Sequence, residues 1–243
     1  MLLDRYWERV DALYKTVKDT QRDAIVKAGE MIAEAVDSGA CVHIFDTGHI
    51  IDAELVYRGG GLILYKSFKY ALQVTDPVRT RDRSDLDTSM DGLAAYALKA
   101  SNVRPGDIMI VGSVSGRTFS AVDLAWEAKK MGVKLIVITS MVYASSVVST
   151  HSCGVKLFEM ADVVIDNCAP AAEAMLEIPG IEARVFAASG LSAAFIMWSV
   201  TSVAVEELMK RGKTPGVLKS ANFPGGNDYN KTIIEPNYEK NGY

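Results

Sequence analysis

The sequence predicts an α/β fold built on a parallel sheet with both faces covered, and three observations carry that expectation. Short continuous apolar runs recur at residues 41–45, 62–65, 108–111, 134–139 and 162–165, with a weaker one at 183–186; strands buried on both faces read this way rather than as an alternation. Segments of helical period lie between them, so strand and helix alternate along the chain. Directly after the apolar run at 108–111 comes Gly112-Ser113-Val114-Ser115-Gly116-Arg117-Thr118, small and hydroxylated residues where a buried strand would turn into a helix.

Taken in order, Tyr6, Val10, Leu13, Val17, Ala24, Ile25, Ala28, Ile32 and Val36 recur at helical spacing and predict a long N-terminal helix, or two in line, over about residues 4–38, closed by Ser38-Gly39. A helix of that length exceeds what one small sheet can cover, so part of its apolar stripe is expected to pack on another subunit, giving a dimer or tetramer. Further helical segments fall at 50–57, 90–99, 119–131 (closed by Gly132), a short piece at 171–176, and a long one at 191–211 closed by Gly212. The last is apolar around most of its circumference through Phe195, Ile196, Met197 and Trp198, yet Ser192, Ser199, Thr201, Ser202 and Glu206 interrupt it. It reads as a buried or interfacial helix rather than a membrane span. Residues 74–87 follow neither period and are densely charged from Arg79 onward, which leaves a solvated loop or a flap over a ligand site. Tyr57-Arg58 with the three glycines after it reads as a helix end, and Arg104-Pro105-Gly106-Asp107 as the turn into the central strand.

A chain of 243 residues, 49% hydrophobic and 23% charged, is long enough for one substantial core and is expected to form one domain over residues 1–243. Its net charge of −4 with scattered Lys and Arg offers no electrostatic footprint for nucleic acid. The N-terminus turns charged at once and no run reaches the roughly 18 apolar residues of a membrane span, so a cytoplasmic protein without membrane contact is expected. Cys41, Cys153 and Cys168 show no CxxC spacing and read as reduced packing residues, with Cys153 the one most open to another role. The three histidines lie far apart with no HxH or HExxH, so no metal or other cofactor is expected; only a constellation assembled by folding could hold one. His43, inside the first strand, reads as a hydrogen-bonded core histidine.

The turn at 112–118 has the makings of an anion cradle, because a strand-to-helix turn presents several backbone N–H groups and the positive end of a helix dipole to one ligand. It is not a Walker A loop, lacking Gly-Lys-Ser/Thr at the required spacing, nor GxGxxG. A phosphate or similar oxyanion is the first ligand to consider. In parallel sheets such ligands bind beyond the carboxyl ends of the strands.

Ser113-Val114-Ser115-Gly116-Arg117-Thr118 resembles the SxSGxT loop of the SIS (sugar isomerase) domain family, and Ile44-Phe45-Asp46-Thr47-Gly48-His49 sits where that family places a glycine turn after its first strand. Residues 151–157, 161–167 and 220–227 extend the match, so the resemblance covers about residues 5–235 and is to a phosphoheptose-isomerase-like subfamily whose substrates are mostly unassigned. It implies a three-layer αβα sandwich with a flavodoxin-like five-stranded parallel sheet, a homo-oligomer, and an anionic sugar ligand. Carried over by position, Ser113, Ser115 and Thr118 would hold the phosphate through hydroxyls, with backbone N–H groups around Gly116 and the neighbouring Arg117 completing the cradle.

The first loop departs from the family's Gly-x-Gly-x-Ser: Asp46 replaces the first glycine and Ile50 the serine. A carboxylate beside a phosphate dianion is unfavourable unless it faces sugar hydroxyls, which makes Asp46, with Thr47, Gly48 and His49, a candidate reader of the sugar. Aldose–ketose isomerisation needs a base to move a proton between C2 and C1. Glu54 is the expected base, its alternative being an ion pair with Arg58 four residues on. His151 is the expected histidine, its alternative being a hydrogen bond that structures its loop, and Glu173 could also face the cleft. The resulting expectation is an isomerase working through an enediolate, with a non-catalytic sugar-phosphate sensor or protein-binding adaptor as the alternative.

Overall fold

The computed structural model of the protein describes residues 1–47, 51–87 and 89–241. Its first two helices, α1 (Leu2–Thr20) and α2 (Arg22–Asp37), are separated at Gln21, where the backbone leaves helical geometry at φ −109°, ψ 3°. The cause is tertiary: Gln21 Oε1 accepts the backbone N–H of Asp166 at 3.0 Å, which pins this residue to the end of a distant strand. α1 buries Leu13 and Val17 but leaves Leu2, Leu3 and Trp7 exposed, whereas α2 buries Ile25, Ala28, Ile32, Ala33 and Ala35.

The main sheet contains β1 (Val42–Asp46), β2 (Tyr65–Ser67), β3 (Ile108–Gly112), β4 (Lys134–Thr139) and β5 (Val163–Asp166), in the spatial order β2-β1-β3-β4-β5 with every neighbouring pair parallel. Side-chain alternation splits the core in two. Val42, Ile44, Ile110, Ile136, Ile138 and Ile165 face α2 and the long helix α7 (Ser189–Lys210), together with Ile51 and Leu55 around the short α3 (Asp52–Leu55). Phe45, Met109, Val111, Leu135 and Val137 face α4 (Leu93–Lys99), α5 (Phe119–Lys130) and the 3-10 turn Leu157–Met160. Three layers of helix, sheet and helix result. α7 is long and apolar enough to cross a membrane, but Ala193, Ile196, Met197, Val200, Ala204 and Leu208 are buried in the core, and Tyr65 packs its hydroxyl on Thr201 at 2.9 Å.

The structure redraws several expected elements. The stretch 171–176, expected as a helix, instead holds β6 (Ala174–Leu176), antiparallel to β7 (Val185–Ala187) in a separate two-stranded sheet. Ala172 and Glu173 have positive φ and the Glu173 carbonyl accepts from Ala188 N–H at 3.1 Å, so pairing with β7 overrides a helical pattern only two turns long. The apolar run at 62–65 contributes only its last residue to β2; Leu62 forms an antiparallel bridge with Val217. Helices α6 (Met141–Ser146) and α8 (Gly226–Asn241) carry too little apolar periodicity to be read in advance. Residues 71–87 are exposed throughout and form no regular element.

Candidate functional site

Strand order reverses between β1 and β3, since β1 leads to β2 on one side and the chain then crosses to β3 on the other. A crevice outside the carboxyl ends of the strands is expected at such a switch point, and the glycine-rich turn lies there. Asp46 pairs with Gly112 across the two strands, and the Gly112 carbonyl accepts both the Thr47 N–H at 3.1 Å and the Thr47 hydroxyl at 3.3 Å. Gly48 and His49 lie outside the described residues.

The turn is held from outside. Ser113, buried, donates its N–H to Ile138; the Val114 carbonyl accepts both the Ser140 N–H and the Thr139 hydroxyl at 3.0 Å; and the Arg117 carbonyl accepts the Thr150 hydroxyl at 2.7 Å. Gly116 is needed on two counts: its φ is +59°, and a Cβ there would sit 3.3 Å from Thr139 Oγ1. Thr118 is the N-cap of α5 and its hydroxyl makes no capping bond. Ala121 and Val122 both donate their N–H groups to the Thr118 carbonyl at 3.1 Å, which leaves the N–H groups of Phe119 and Ser120 as the first-turn donors without an intrahelical acceptor in this twelve-residue helix. Ser115 is half-buried, while Arg117 and Thr118 are exposed at the rim. The Gly116 N–H donates within the turn to the Ser113 carbonyl at 3.2 Å, against the expectation that N–H groups around Gly116 complete a cradle, so what the turn offers an anion is the start of α5 and the hydroxyls of Ser113, Ser115 and Thr118.

Asp46 turns its carboxylate into its own loop. Oδ2 accepts the N–H groups of Ile51 at 2.5 Å and Asp52 at 3.2 Å, so that oxygen caps the entry to α3. Glu54 on α3 accepts from Trp198 Nε1 at 3.1 Å and pairs with Arg58 at 3.0 Å, on the α2/α7 side of the sheet. Trp198 is a partner that sequence reading did not connect to Glu54, because 144 residues separate them.

His151 is on the other side. It is 6% exposed, stacks on Phe119 at 5.3 Å, accepts the Cys153 N–H on Nδ1 at 3.1 Å and places Nε2 3.1 Å from the buried Asp123 carboxylate. With Nδ1 accepting, Nε2 carries the proton and donates to Asp123. Within one chain Glu54 and His151 therefore lie on opposite faces of the sheet and are not brought together. Glu173 accepts the Ser189 hydroxyl at 2.6 Å, tying the segment after β5 to the start of α7.

Two features of this end of the sheet were not legible in the sequence. Asn167, fully buried after β5, uses its carbonyl oxygen on Ala169 N–H and leaves its amide nitrogen without a partner among the described residues. A cavity of about 730 Å³ runs between α1 and the segment after β5, lined by Arg9, Gln21, Asp166, Cys168 and Met175 among others. Burial and the nearby Asp166 carboxylate push the Cys168 thiol up from its ordinary value, so it is protonated at neutral pH.

A family model described as SIS domain matches residues 5–140. A UPF0309 protein of Streptomyces griseus subsp. griseus is 32% identical, over 96% of this chain and 94% of its own. A UPF0309 protein of Shouchella clausii is 30% identical, over 96% and 95%. Among solved structures, a phosphoheptose isomerase from Neisseria gonorrhoeae aligns with a TM-score of 0.54 and 13% identity, covering 85% of this chain and 98% of that one. A phosphoheptose isomerase from Francisella tularensis gives 0.53 and 14%, covering 84% and 96%. At these identities the structural likeness is one of fold.

Proposed function

Because the chain belongs to the SIS-domain family, and to the UPF0309 proteins at 32% identity over nearly its whole length, we propose that it binds a sugar carrying a phosphate or related anionic group at the turn 113–118. The observation that carries this reading is the uncapped start of α5 behind a turn of Ser113, Ser115, Gly116 and Thr118. In it the anion accepts from the Phe119 and Ser120 N–H groups and from the three hydroxyls, while Thr47 and Arg117, exposed at the rim, meet the sugar. Asp46 shapes the first loop through its bonds to Ile51 and Asp52 rather than opposing the anion.

The reaction proposed is aldose–ketose isomerisation. Glu54 takes the proton from C2, leaving an enediolate, and returns it to C1 while the O2 hydroxyl proton passes to O1; Trp198 and Arg58, one on each carboxylate oxygen, orient it. His151 acts as a positioning residue, since both ring nitrogens are committed to Cys153 and Asp123 behind the turn.

A thermal-shift screen of sugar phosphates, amino-sugar phosphates and sulfonated sugars tests binding, because any site ligand raises apparent stability by mass action. Hits that persist unchanged in both Ser113→Ala and Ser115→Ala would place the anion elsewhere. The separation of Glu54 from His151 across the sheet favours a second reading, a sensor or adaptor that binds without turnover. Solvent hydrogen exchange at C2 of a bound sugar separates the two: exchange supports the isomerase, and saturable binding without exchange supports the sensor.

A further inference from the structure

At the opposite, amino-terminal end of the sheet, three side chains of different chemistry meet outside the site described above. Cys41 directly precedes β1, His43 lies two residues on and so on the same face, and Asp107 directly precedes the adjacent β3. One ligating atom from each, a sulfur, a ring nitrogen and a carboxylate oxygen, lies within 4.8 Å of the other two. The His43 and Asp107 side chains are only 12% and 4% exposed. Beside them lies a cavity of about 350 Å³ lined also by Tyr57, Tyr65, Lys66 and Asn102.

We propose that Cys41, His43 and Asp107 form a binding site for a borderline-soft divalent cation of the zinc class, with the fourth position open to this cavity. A thiolate, an imidazole and one carboxylate suit zinc or cobalt, whereas magnesium and calcium require mostly oxygen ligands. Bond lengths near 2.0–2.3 Å put tetrahedral ligand atoms roughly 3.3–3.8 Å apart, so side-chain rotation closing the trio by about 1 Å completes the shell. The carboxylate is already aimed: Oδ1 accepts the Cys41 N–H at 2.8 Å, and Oδ2 accepts the Arg104 N–H at 2.8 Å and faces His43 Nε2 at 3.1 Å. Such supporting bonds orient a ligand and sharpen affinity. Binding replaces the thiol proton by the metal and releases it to solvent. A thiolate and a carboxylate together neutralise the dication, so Lys66 faces a centre of no net charge. Three protein ligands with one open position is the pattern of sites that present a metal-bound water or a ligand, rather than of closed structural ones. The inference does not depend on the sugar site, and the sequence spacing gave no sign of it because Asp107 is brought in only by strand pairing.

The test is cobalt(II) titration of the chelator-treated full-length protein, followed in the near-ultraviolet and visible. One equivalent is expected to give a thiolate-to-cobalt charge-transfer band with tetrahedral ligand-field bands, reversed by zinc(II). Cys41→Ser should abolish the charge-transfer band and His43→Gln should weaken binding by about tenfold or more, while Cys153→Ser and Cys168→Ser change neither. Absence of the band, its survival in Cys41→Ser, or its loss in either of the other cysteine variants overturns the proposal. As a measurement needing no variant, one equivalent of zinc(II) should protect Cys41 from alkylation in the unaltered protein, read by peptide mass mapping; alkylation of Cys41 at an undiminished rate also overturns it.

Discussion

His151 donates from Nε2 to Asp123 Oδ1 across 3.1 Å, and the same carboxylate accepts the N–H groups of Gly92 and Ala94 at 2.8 Å each. Asp123 is fully buried, one turn into α5, whose start is the candidate anion site. This one carboxylate therefore joins the end of the exposed segment before α4, the body of α5 and the loop around residue 151.

Breaking that junction should destabilise the fold unequally. Asp123→Ala strips acceptors from three donors and is expected to cost about 3–5 kcal/mol. His151→Ala leaves the carboxylate two N–H partners and should cost about 1–3 kcal/mol. Urea denaturation of both variants checks the order; equal losses would mean that the Gly92 and Ala94 bonds contribute nothing.

Gly116→Ala tests the turn itself. A left-handed φ of +59° costs a residue with Cβ roughly 1–2 kcal/mol, and the added methyl crowds Thr139 Oγ1. Stability should fall by about that amount, and the thermal shift given by any sugar-phosphate hit should disappear. A full ligand shift in this variant would separate the turn from the anion.

Glu54→Gln keeps the shape of the side chain and removes its basicity. Under the isomerase reading, exchange at C2 should slow by about 10²–10⁴-fold with little change in ligand binding. Trp198→Phe, which removes only the orienting N–H, should slow exchange by a smaller factor. Unaltered exchange in Glu54→Gln would remove the residue from the reaction.

Tyr65 gives a stability change at alkaline pH. Its hydroxyl is buried and donates to Thr201 Oγ1, which itself donates to the Met197 carbonyl at 2.7 Å. Burial raises the phenol from 10.0 to about 12. Between those values the unfolded chain loses the proton while the folded chain keeps it, so stability falls as pH rises, by about 1.4 kcal/mol per pH unit. The contribution is complete below pH 10.0 and is lost through about 12. Tyr65→Phe should flatten this part of the pH–stability curve measured by urea unfolding; an equally steep fall would assign it to other groups.

The sheet and the glycine-hydroxyl turn after β3 were legible in the chain because both depend on local pattern. Continuous apolar runs such as 108–111 and 134–139, too short for helices and bounded by turn residues, read as strands covered on two sides, and the small and hydroxylated residues after residue 111 mark a strand-to-helix turn. Short segments were less legible. A stretch as short as 171–176 satisfies either period, and pairing with β7 decided between them.

The amino-acid sequence by itself determined the class of fold and the place of the glycine- and hydroxyl-rich turn between β3 and α5, since each follows from periodicity or local composition. Tertiary structure alone decided which side chains meet. It joined Glu54 to Trp198, turned Asp46 into its own loop, set His151 against Asp123 on the far face of the sheet, and drew Asp107 to Cys41 and His43. The physical reason is that a side chain's partners depend on strand order, pairing register and which face of the sheet it occupies, and these are properties of the assembled chain.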